Sequence, residues 1–254
     1  MKIKRRLDQV LAELYPDLSR TLLQSFIMQG KVTVNGKVQT KAGTPITPED
    51  EVILTHQEPK YVSRGGFKLE AALDHFQVNP EGLVAMDAGI STGGFTHCLL
   101  QRGIKKVYGI DVGFGQVHEK VRQDSRVVVL EKVNLRHLDY LPELVDLVTL
   151  DLSFISLLKV MDAIKKITQS HATILALIKP QFEAEREDIR RGGLVKDDAV
   201  HQRVIKKVID GMAEHGFVCK GVIDSPILGA ASGNKEFLGC FVRRANTAEV
   251  SVYD

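Results

Sequence analysis

Apolar side chains near the N-terminus recur at the spacing of two short amphipathic helices, over 7–15 and 19–29. Ser19 is a residue type that caps the first turn of a helix, so it marks the start of the second one. Gly30 follows the second apolar pattern, at the position where a helix often ends in a left-handed residue. The pattern therefore predicts a pair of short helices that each bury one face.

A hairpin and one more strand follow these helices. Short alternating runs flank Asn35-Gly36, a dipeptide typical of a two-residue hairpin turn. The apolar run 51–55 predicts a strand that completes a small α+β domain over residues 1–57. The segment 56–61 holds a proline and charges without periodicity, so we place a linker at 58–62 and a second domain over 63–254.

The second domain alternates between strand-like apolar runs and helical patterns. The strand-like runs are 83–87, 106–110, 127–130, 145–151, 173–178, 218–223 and 237–242. This alternation is typical of an α/β domain, with a mostly parallel, seven-stranded sheet between layers of helices. In such sheets, ligands bind at the carboxyl ends of the strands. The amphipathic pattern 198–215 predicts a covering helix, and the mixed-charge run 183–193 predicts a solvated loop.

Composition narrows the class of protein. Apolar residues make up 44% of the 254 residues and charged residues 26%, which excludes a wholly disordered chain. Residues 1–47 hold eight basic and three acidic residues, a net charge of +5, whereas the other 207 hold 26 and 29, a net charge of −3. The basic segment favours a polyanionic partner. The three cysteines lack disulfide or zinc spacing and no apolar run is long enough to span a membrane, so we expect a cytoplasmic protein without a metal.

A glycine-rich turn, DAGISTGGFT over 87–96, ends the first strand of the second domain. Its glycines allow a ligand to approach the backbone closely. Asp111 ends the next strand, where a carboxylate can accept hydrogen bonds from both hydroxyls of a ribose. Asp87 would repel a pyrophosphate but attract the α-ammonium of an amino acid. A ligand with a ribose and an amino-acid end is S-adenosylmethionine, and we predict this cofactor.

Two other interpretations of this turn stay open. A dinucleotide-binding loop has the spacing Gly-x-Gly-x-x-Gly, which differs from that of Gly89, Gly93 and Gly94. A strand-to-helix turn that uses glycine for packing alone would explain either the loop or Asp111, but not both together.

Four charged residues stand next to predicted strands or at a helix start. Asp151 closes one apolar run, Lys179 follows another, and Glu236 opens the last strand. Lys68 lies near the start of a predicted helix. A lysine at the end of a buried strand is costly unless it is paired, so we expect carboxylates beside the lysines. Taken singly, each residue is best explained by a structural ion pair.

Over essentially the whole chain, these features resemble the TlyA family of S4-containing ribosomal RNA 2′-O-methyltransferases, historically called haemolysins. The matching segments are YVSRGG (61–66), STGGFT (91–96), GIDVGFGQ (109–116), DLSFIS (151–156), LIKPQFE (177–183) and GNKEF (233–237). The S4 RNA-binding domain is matched by Arg6-Leu7-Asp8, Ser19-Arg20, Gly30-Lys31-Val32, Val34-Asn35-Gly36 and Asp50-Glu51. One departure is His97, where the family pattern has aspartate.

The resemblance implies a class I, Rossmann-like methyltransferase domain behind a small S4 domain, and methylation of a cytidine 2′-hydroxyl in ribosomal RNA. The catalytic tetrad of related enzymes maps onto Lys68, Asp151, Lys179 and Glu236. The expected cofactor-binding residues are Asp87, Gly89, Ser91, Thr92, Gly93, Gly94, Phe95, Asp111, Asn134 and Asp151. The expected RNA contacts are Arg5, Arg6, Arg20, Lys31, Lys41 and Arg64. Ribosomal RNA or a ribosomal subunit is the expected partner, with no membrane and no stable protein partner.

The chemistry requires residues of these types. A ribose hydroxyl is a weak nucleophile, so it must be aligned with the methyl–sulfur bond and lose its proton late. We assign Lys179 as the base or hydroxyl-orienting group, with Lys68 and Glu236 positioning the ribose. Two other functions are considered: a non-catalytic ribosome-binding or assembly factor, which needs no such tetrad, and a haemolysin-like membrane-active protein, which needs a strongly cationic amphipathic helix.

Overall fold

The computed structural model describes residues 4–55, 59–229 and 233–244, and its chain divides into two compact units, 1–60 and 61–254. The first unit contains β1 (Arg5–Arg6), α1 (Leu7–Leu14), α2 (Arg20–Met28), β2 (Val32–Val34), β3 (Lys37–Gln39), β4 (Pro45–Ile46) and β5 (Val52–Leu54). Strand β2 pairs with β3 and β5, and β1 pairs with β4, all antiparallel. The predicted linker lies partly outside the described residues, since 56–58 are not described.

The local signals in the first unit act as predicted. The Ser19 hydroxyl accepts a hydrogen bond from the Leu22 backbone N–H at 3.3 Å, which caps α2. Gly30 has a φ of +71° just after that helix. Asn35 and Gly36 have φ values of +49° and +75°, both left-handed, as a tight hairpin turn requires. The helix pair and the hairpin are therefore confirmed.

A buried carboxylate joins the helices of the first unit. Asp8 on α1 is fully buried and accepts hydrogen bonds from Arg6 Nε at 3.0 Å and Arg20 Nη2 at 2.8 Å. Gln24 Nε2 donates a third at 2.8 Å. The hydrogen bonds from Arg6, with those from Arg20 and Gln24, hold the pKa of Asp8 well below its usual range. Asp8 therefore fixes the positions of two arginines predicted to contact RNA.

The second unit is an α/β domain. Its elements are α3 (Gly65–His75), β6 (Val84–Ala88), α4 (Gly94–Gln101), β7 (Lys106–Asp111), α5 (Glu119–Arg122), β8 (Val127–Glu131), β9 (Val145–Leu150), α6 (Met161–Ile167), β10 (Thr168–Ile178), α7 (Pro180–Glu183), α8 (Asp198–Glu214), β11 (Phe217–Asp224) and β12 (Phe237–Arg243). Seven strands form one sheet in the order β11-β12-β10-β9-β6-β7-β8. Strand β12 runs antiparallel to β10 and β11, whereas the other described pairs in this sheet are parallel. The predicted fold class is confirmed.

The sheet is buried on both faces, which explains the near-continuous apolar runs of its central strands. On one face, Val148 and Ile174 pack in a cluster with Val204 of α8. On the other, Leu147 packs in a cluster with Leu69 of α3 and residues of α4. Because β6, β7, β9 and β10 are parallel, their carboxyl ends lie along the same edge of the sheet.

Strand β10 begins earlier than the apolar run 173–178 indicates. It starts at Thr168, and its pairing with β9 is irregular between Thr168 and Thr173. Ser170 and His171 in this stretch are exposed, so their polarity conceals the strand from a pattern based on burial. Among the described residues, no helix is long and apolar enough to cross a membrane.

The Asp8 cluster generates a prediction about stability. We expect Asp8→Asn to lower the free energy of unfolding by about 2 kcal/mol at pH 7, because charge-assisted hydrogen bonds to both arginines are weakened. Since the folded-state pKa of Asp8 is lowered, its stabilisation is present above the ordinary carboxyl pKa, near 4, and is lost as the pH falls below that value.

Urea unfolding followed by circular dichroism at several pH values measures this difference. The exposed Asp17→Asn is the matched control and should behave like the wild type at every pH. The proposed role of the Asp8 carboxylate would be contradicted if wild type and Asp8→Asn had the same free energy of unfolding at pH 7, or if their difference grew on acidification.

Candidate active site

The loop between β6 and α4 packs directly against the end of β9. Gly89 and Gly93 have left-handed φ values of +82° and +92°. A Cβ atom on Gly89 would lie 2.5 Å from the backbone oxygen of Asp151, so a larger residue would push the two segments apart. Glycine at 89 is therefore required by both the backbone conformation and this close approach.

Two cavities adjoin at this contact. The first, which we call the lysine cavity, has a volume of about 470 Å³ and is lined by Lys68, Asp151, Lys179 and Glu236 among others. The second, the Asp111 cavity, has a volume of about 520 Å³ and is lined by Asp111 and Asn134 among others. Residues that line both cavities are Gly89, Ser91, Asp151, Ser153 and Phe154.

The lysine cavity contains two amine–carboxylate pairs. Lys179 Nζ lies 2.7 Å from Asp151 Oδ1, and Lys68 Nζ lies 2.5 Å from Glu236 Oε2. Lys179 also donates to the Ser153 hydroxyl at 3.0 Å. The residues come from α3, from the ends of β9 and β10, and from the start of β12, so only the folded sheet brings them together. The carboxylates expected beside the lysines are present.

The Asp111 cavity has acceptors at the end of β7. The Asp111 carboxylate accepts the backbone N–H groups of Ser91 at 2.9 Å and Gly113 at 2.7 Å. These bonds hold the glycine loop against β7 and orient the carboxylate. Asn134 Oδ1 accepts the Arg136 backbone N–H at 3.1 Å, which fixes the start of the short 3₁₀ turn Leu135–His137. Ile110, Val133 and Leu135 add apolar surface to this cavity.

The Asp87 carboxylate is not in the position that the predicted contact with a ligand requires. Its carboxylate is fully buried and lines neither cavity. It accepts hydrogen bonds from the Thr96 hydroxyl at 2.6 Å, the Thr96 backbone N–H at 3.1 Å and the Thr149 hydroxyl at 2.7 Å. Burial raises the pKa of Asp87 to about 6. The side chain therefore ties α4 to β6 and β9 beneath the loop.

The other predicted site residues fall into three groups. Arg64, Thr92, Gly94 and Phe95 line the lysine cavity. Gly93 is not among the lining residues of either cavity, although its φ shapes the loop. Most of the predicted RNA contacts of the first unit interact with neighbouring side chains. Arg5 donates hydrogen bonds to Glu13, and both Arg6 and Arg20 donate to Asp8. The Lys31 ammonium lies 5.2 Å from the centre of the Phe26 ring. Lys41 is exposed.

Several residues around the lysine cavity were not singled out from the sequence. Phe154 is 91% exposed, has a φ of +64°, and lies 5.1 Å from Phe182 between ring centres. Ser153 and Gln181 also line the cavity. Their positions two residues after Asp151 and Lys179 are the signal that would have found them.

The prediction of a solvated loop is wrong at its first residue. Glu183 is only 3% exposed and accepts hydrogen bonds from the Ser156 hydroxyl at 2.6 Å and the Leu157 backbone N–H at 2.7 Å. Burial raises the pKa of Glu183. The reason is that α7 turns back into the domain after Lys179, which brings this carboxylate under the segment that follows β9.

The buried Asp87 generates a prediction about pH. Below an ordinary carboxyl pKa of about 4, Asp87 is protonated in both the folded and the unfolded chain. Between about pH 4 and 6, Asp87 is ionised in the unfolded chain but still protonated in the folded one. The free energy of unfolding therefore falls as the pH rises through this range. Above pH 6 the cost is constant at about 3 kcal/mol. We expect the free energy of unfolding of Asp87→Asn, relative to that of wild type, to rise by about 3 kcal/mol between pH 4 and pH 7.5.

Urea unfolding at the two pH values measures the change. Asp210→Asn, on the exposed face of α8, is the control and should track the wild type. If the free energies of unfolding of Asp87→Asn and wild type differ by the same amount at both pH values, the raised pKa is refuted.

The sequence and the fold are similar to those of known proteins. Residues 61–243 match the family model for FtsJ-like methyltransferases, and residues 5–52 match the S4 domain. The chain is 40% identical to hemolysin A of Brachyspira hyodysenteriae over 93% of its length and 99% of that protein. It is 39% identical to the 16S/23S rRNA (cytidine-2′-O)-methyltransferase TlyA of Mycobacterium tuberculosis, over 93% of its length and 89% of that protein.

A solved structure supports the same relationship. The protein from Streptococcus thermophilus, described as a candidate hemolysin, aligns with a TM-score of 0.72 and 38% identity over 99% of this chain and 94% of that one. These matches confirm the family inferred from the motifs. The chain belongs to the TlyA family of FtsJ-like methyltransferases that carry an S4 domain.

Proposed function

We propose that this chain transfers a methyl group from S-adenosylmethionine to the 2′-hydroxyl of a cytidine in ribosomal RNA. The observation that carries the proposal is the convergence of two lysine–carboxylate pairs on one cavity beside the glycine loop. The name of the Mycobacterium tuberculosis relative supports the same reaction and substrate. A non-catalytic assembly factor would gain nothing from two lysines at this edge of the sheet, because buried ion pairs are costly.

The residues present fit S-adenosylmethionine. In the Asp111 cavity, each Asp111 oxygen accepts one backbone N–H and keeps a lone pair for a ribose hydroxyl. Asn134 and the apolar side chains of that cavity suit an adenine ring. The amino-acid end would lie where the two cavities adjoin, with Asp151 as the negative partner of its ammonium. When bound, the cofactor supplies an electrophilic methyl group on a sulfonium.

Asp87 then has a different role from a direct ligand contact. Because its hydrogen bonds go to Thr96 and Thr149, we propose that it holds the loop from below. The loop residues that line the lysine cavity, Gly89, Ser91, Thr92, Gly94 and Phe95, provide the surface against which the cofactor rests. Gly93 contributes through its left-handed backbone.

Lys179 is the proposed group that handles the proton of the acceptor hydroxyl. A charged lysine has three N–H donors. Asp151 and Ser153 account for two of them, which leaves one for the ribose 2′-oxygen. As the base, Lys179 takes the hydroxyl proton in its amine form and becomes the ammonium that the Asp151 carboxylate, at 2.7 Å, stabilises. The pair thus orients the hydroxyl first and removes its proton late.

Lys68 and Glu236 position the ribose. Their side chains are nearly buried, and each compensates the charge of the other. Glu236 has a second oxygen that can accept from a ribose hydroxyl, and Lys68 can donate to one. Together with Lys179, these groups would hold the sugar at a defined distance from the methyl group.

The first unit and Arg64 are the proposed RNA contacts. Arg6 and Arg20 use part of their five-donor guanidinium groups on Asp8, and about half of each side chain stays exposed for phosphate oxygens. Arg5, Lys31 and Lys41 extend this basic surface. Phosphate contacts position an RNA without reading its sequence.

Lys179→Ala tests the catalytic assignment. We expect methyl transfer to ribosomal RNA to fall by about 10²–10⁴-fold, which is the usual contribution of a proton-transfer group. The affinity for S-adenosylhomocysteine, measured by calorimetry, should change little. Lys206→Ala, an exposed lysine of α8, is the control and should retain full activity. Robust turnover by Lys179→Ala would refute the assignment, and binding of the cofactor product without transfer by the wild type would favour the non-catalytic alternative.

Lys41→Ala tests the proposed RNA surface. We expect weaker binding to all ribosomal RNA fragments, and a slope of log affinity against log salt that is smaller by about 1, because one phosphate contact is lost. Filter binding at several salt concentrations measures this slope, with Lys206→Ala again as control. An unchanged affinity and slope would remove Lys41 from the interface.

A further inference from the structure

Gln181 has a buried polar atom that no protein group satisfies. Its Oε1 is the one buried side-chain nitrogen or oxygen without a hydrogen-bond partner in the part of the chain that the structure describes. The residue belongs to α7, two positions after Lys179, and lines the lysine cavity. A buried acceptor without a partner costs free energy, so such an atom calls for an explanation in a native protein.

The other polar groups of the cavity differ in this respect. Lys68 is paired with Glu236, and Lys179 with Asp151 and Ser153. Gln181 is also the one neutral amide among the residues that line the lysine cavity. A side-chain amide presents an acceptor next to a donor, and it therefore suits a ligand edge with a donor next to an acceptor.

The position of Gln181 is set by its neighbours in α7. Glu183 bonds to Ser156 and Leu157 in the segment after β9, and its own backbone oxygen accepts from Lys207 Nζ at 2.8 Å. The Phe182 N–H donates to the Lys179 backbone oxygen at 2.9 Å. Both ends of this short helix are therefore anchored, and Gln181 has a defined place relative to Lys179 and its proton-handling Nζ.

The same cavity has apolar surface suited to a flat ring. Phe154 and Phe182 line it, with ring centres 5.1 Å apart, and Phe154 is largely exposed. If the ribose of a nucleotide reaches Lys179, its base must lie within a few ångströms, among these side chains. Sequence-specific RNA recognition commonly uses such unstacked bases, which are read on their Watson–Crick edge.

We infer that Gln181 recognises the base of the nucleotide that is methylated, with Oε1 accepting a hydrogen bond from the exocyclic N4 amine of cytosine and Nε2 donating to N3. Cytosine has a donor at N4 beside an acceptor at N3, whereas uracil has an acceptor at O4 beside a donor at N3. Oε1 is buried in this structure, so the side chain must turn to present it to N4; with Oε1 toward N4 and Nε2 toward N3, the amide matches cytosine. This inference rests on the proposed function and adds a specificity-determining residue to it.

The test compares three RNA substrates. They are ribosomal RNA fragments that carry, at the site methylated by the wild type, cytidine, uridine or a cytidine analogue without the N4 amine (2-pyrimidinone ribonucleoside). Methyl transfer is measured as kcat/KM for wild type, Gln181→Ala and Gln181→Met, of which methionine keeps the side-chain length without the amide. Gln202→Ala, an exposed glutamine of α8, is the control.

We expect the wild type and Gln202→Ala to favour cytidine over both other substrates by at least tenfold. For both Gln181 variants, kcat/KM on cytidine RNA should fall at least tenfold and become similar to that on the other two RNAs, because no amide is left to hydrogen-bond the N4 amine. The affinity for S-adenosylhomocysteine should stay within twofold of the wild type, which shows that the fold and the cofactor site are intact.

Two results would overturn the inference while leaving the proposed function in place. One is an unchanged preference for cytidine in both Gln181 variants, and the other is an equal loss on all three substrates. Failure of the wild type to methylate any unmodified ribosomal RNA would overturn the proposed function and the inference with it.

Discussion

The site depends on two ion pairs between lysines and carboxylates at one edge of a parallel sheet. Lys179 with Asp151, and Lys68 with Glu236, connect segments that are distant in the sequence. Removing charges from water is costly, so each amine needs its carboxylate to be tolerated there. The sheet order makes this possible, because β9 and β10 are adjacent and end together, and β12 returns beside β10 in the opposite direction. The start of β12 therefore meets the end of β10.

A second constraint is the close packing of the glycine loop against the end of β9. Gly89 leaves no room for a side chain next to the Asp151 backbone, and Asp87 holds the loop from beneath through two threonines. Burial raises the pKa of Asp87, so we expect its ionisation to lower the protein's stability at neutral pH. This arrangement sets the glycine loop directly beside Asp151 and Lys179, as a reaction between two bound substrates requires.

Much of this architecture could be predicted from the sequence. The apolar runs identified all seven strands of the large sheet, and Asn35-Gly36 identified the hairpin, because both signals arise from local burial and backbone preference. Asp151, Lys179 and Glu236 were identified by their positions next to strands, and Lys68 by its position near a helix start. The sequence could not show the partners of a side chain: Asp87 follows the expected motif, but its carboxylate is buried against Thr96 and Thr149 and lines neither cavity.

Glu183 and Gln181 show the same limit. Glu183 opens the run 183–193 that was predicted as a solvated loop, and Gln181 lies two residues before it. The turn of α7 brings Glu183 under the segment that follows β9 and Gln181 to the lysine cavity. Tertiary packing, which no local pattern encodes, decides which of these polar residues are buried. Residues close in sequence to a charged strand end are therefore candidates for the site even where their own pattern indicates solvent.

The central claim is that the lysine cavity directs a methyl group to a ribose oxygen. The most direct measurement is to incubate unmodified ribosomal subunits with the protein and methyl-labelled S-adenosylmethionine, and to identify the labelled nucleoside by mass spectrometry after digestion. The account predicts label in 2′-O-methylcytidine. Label on a base nitrogen or carbon, or the absence of any labelled nucleoside, would contradict it.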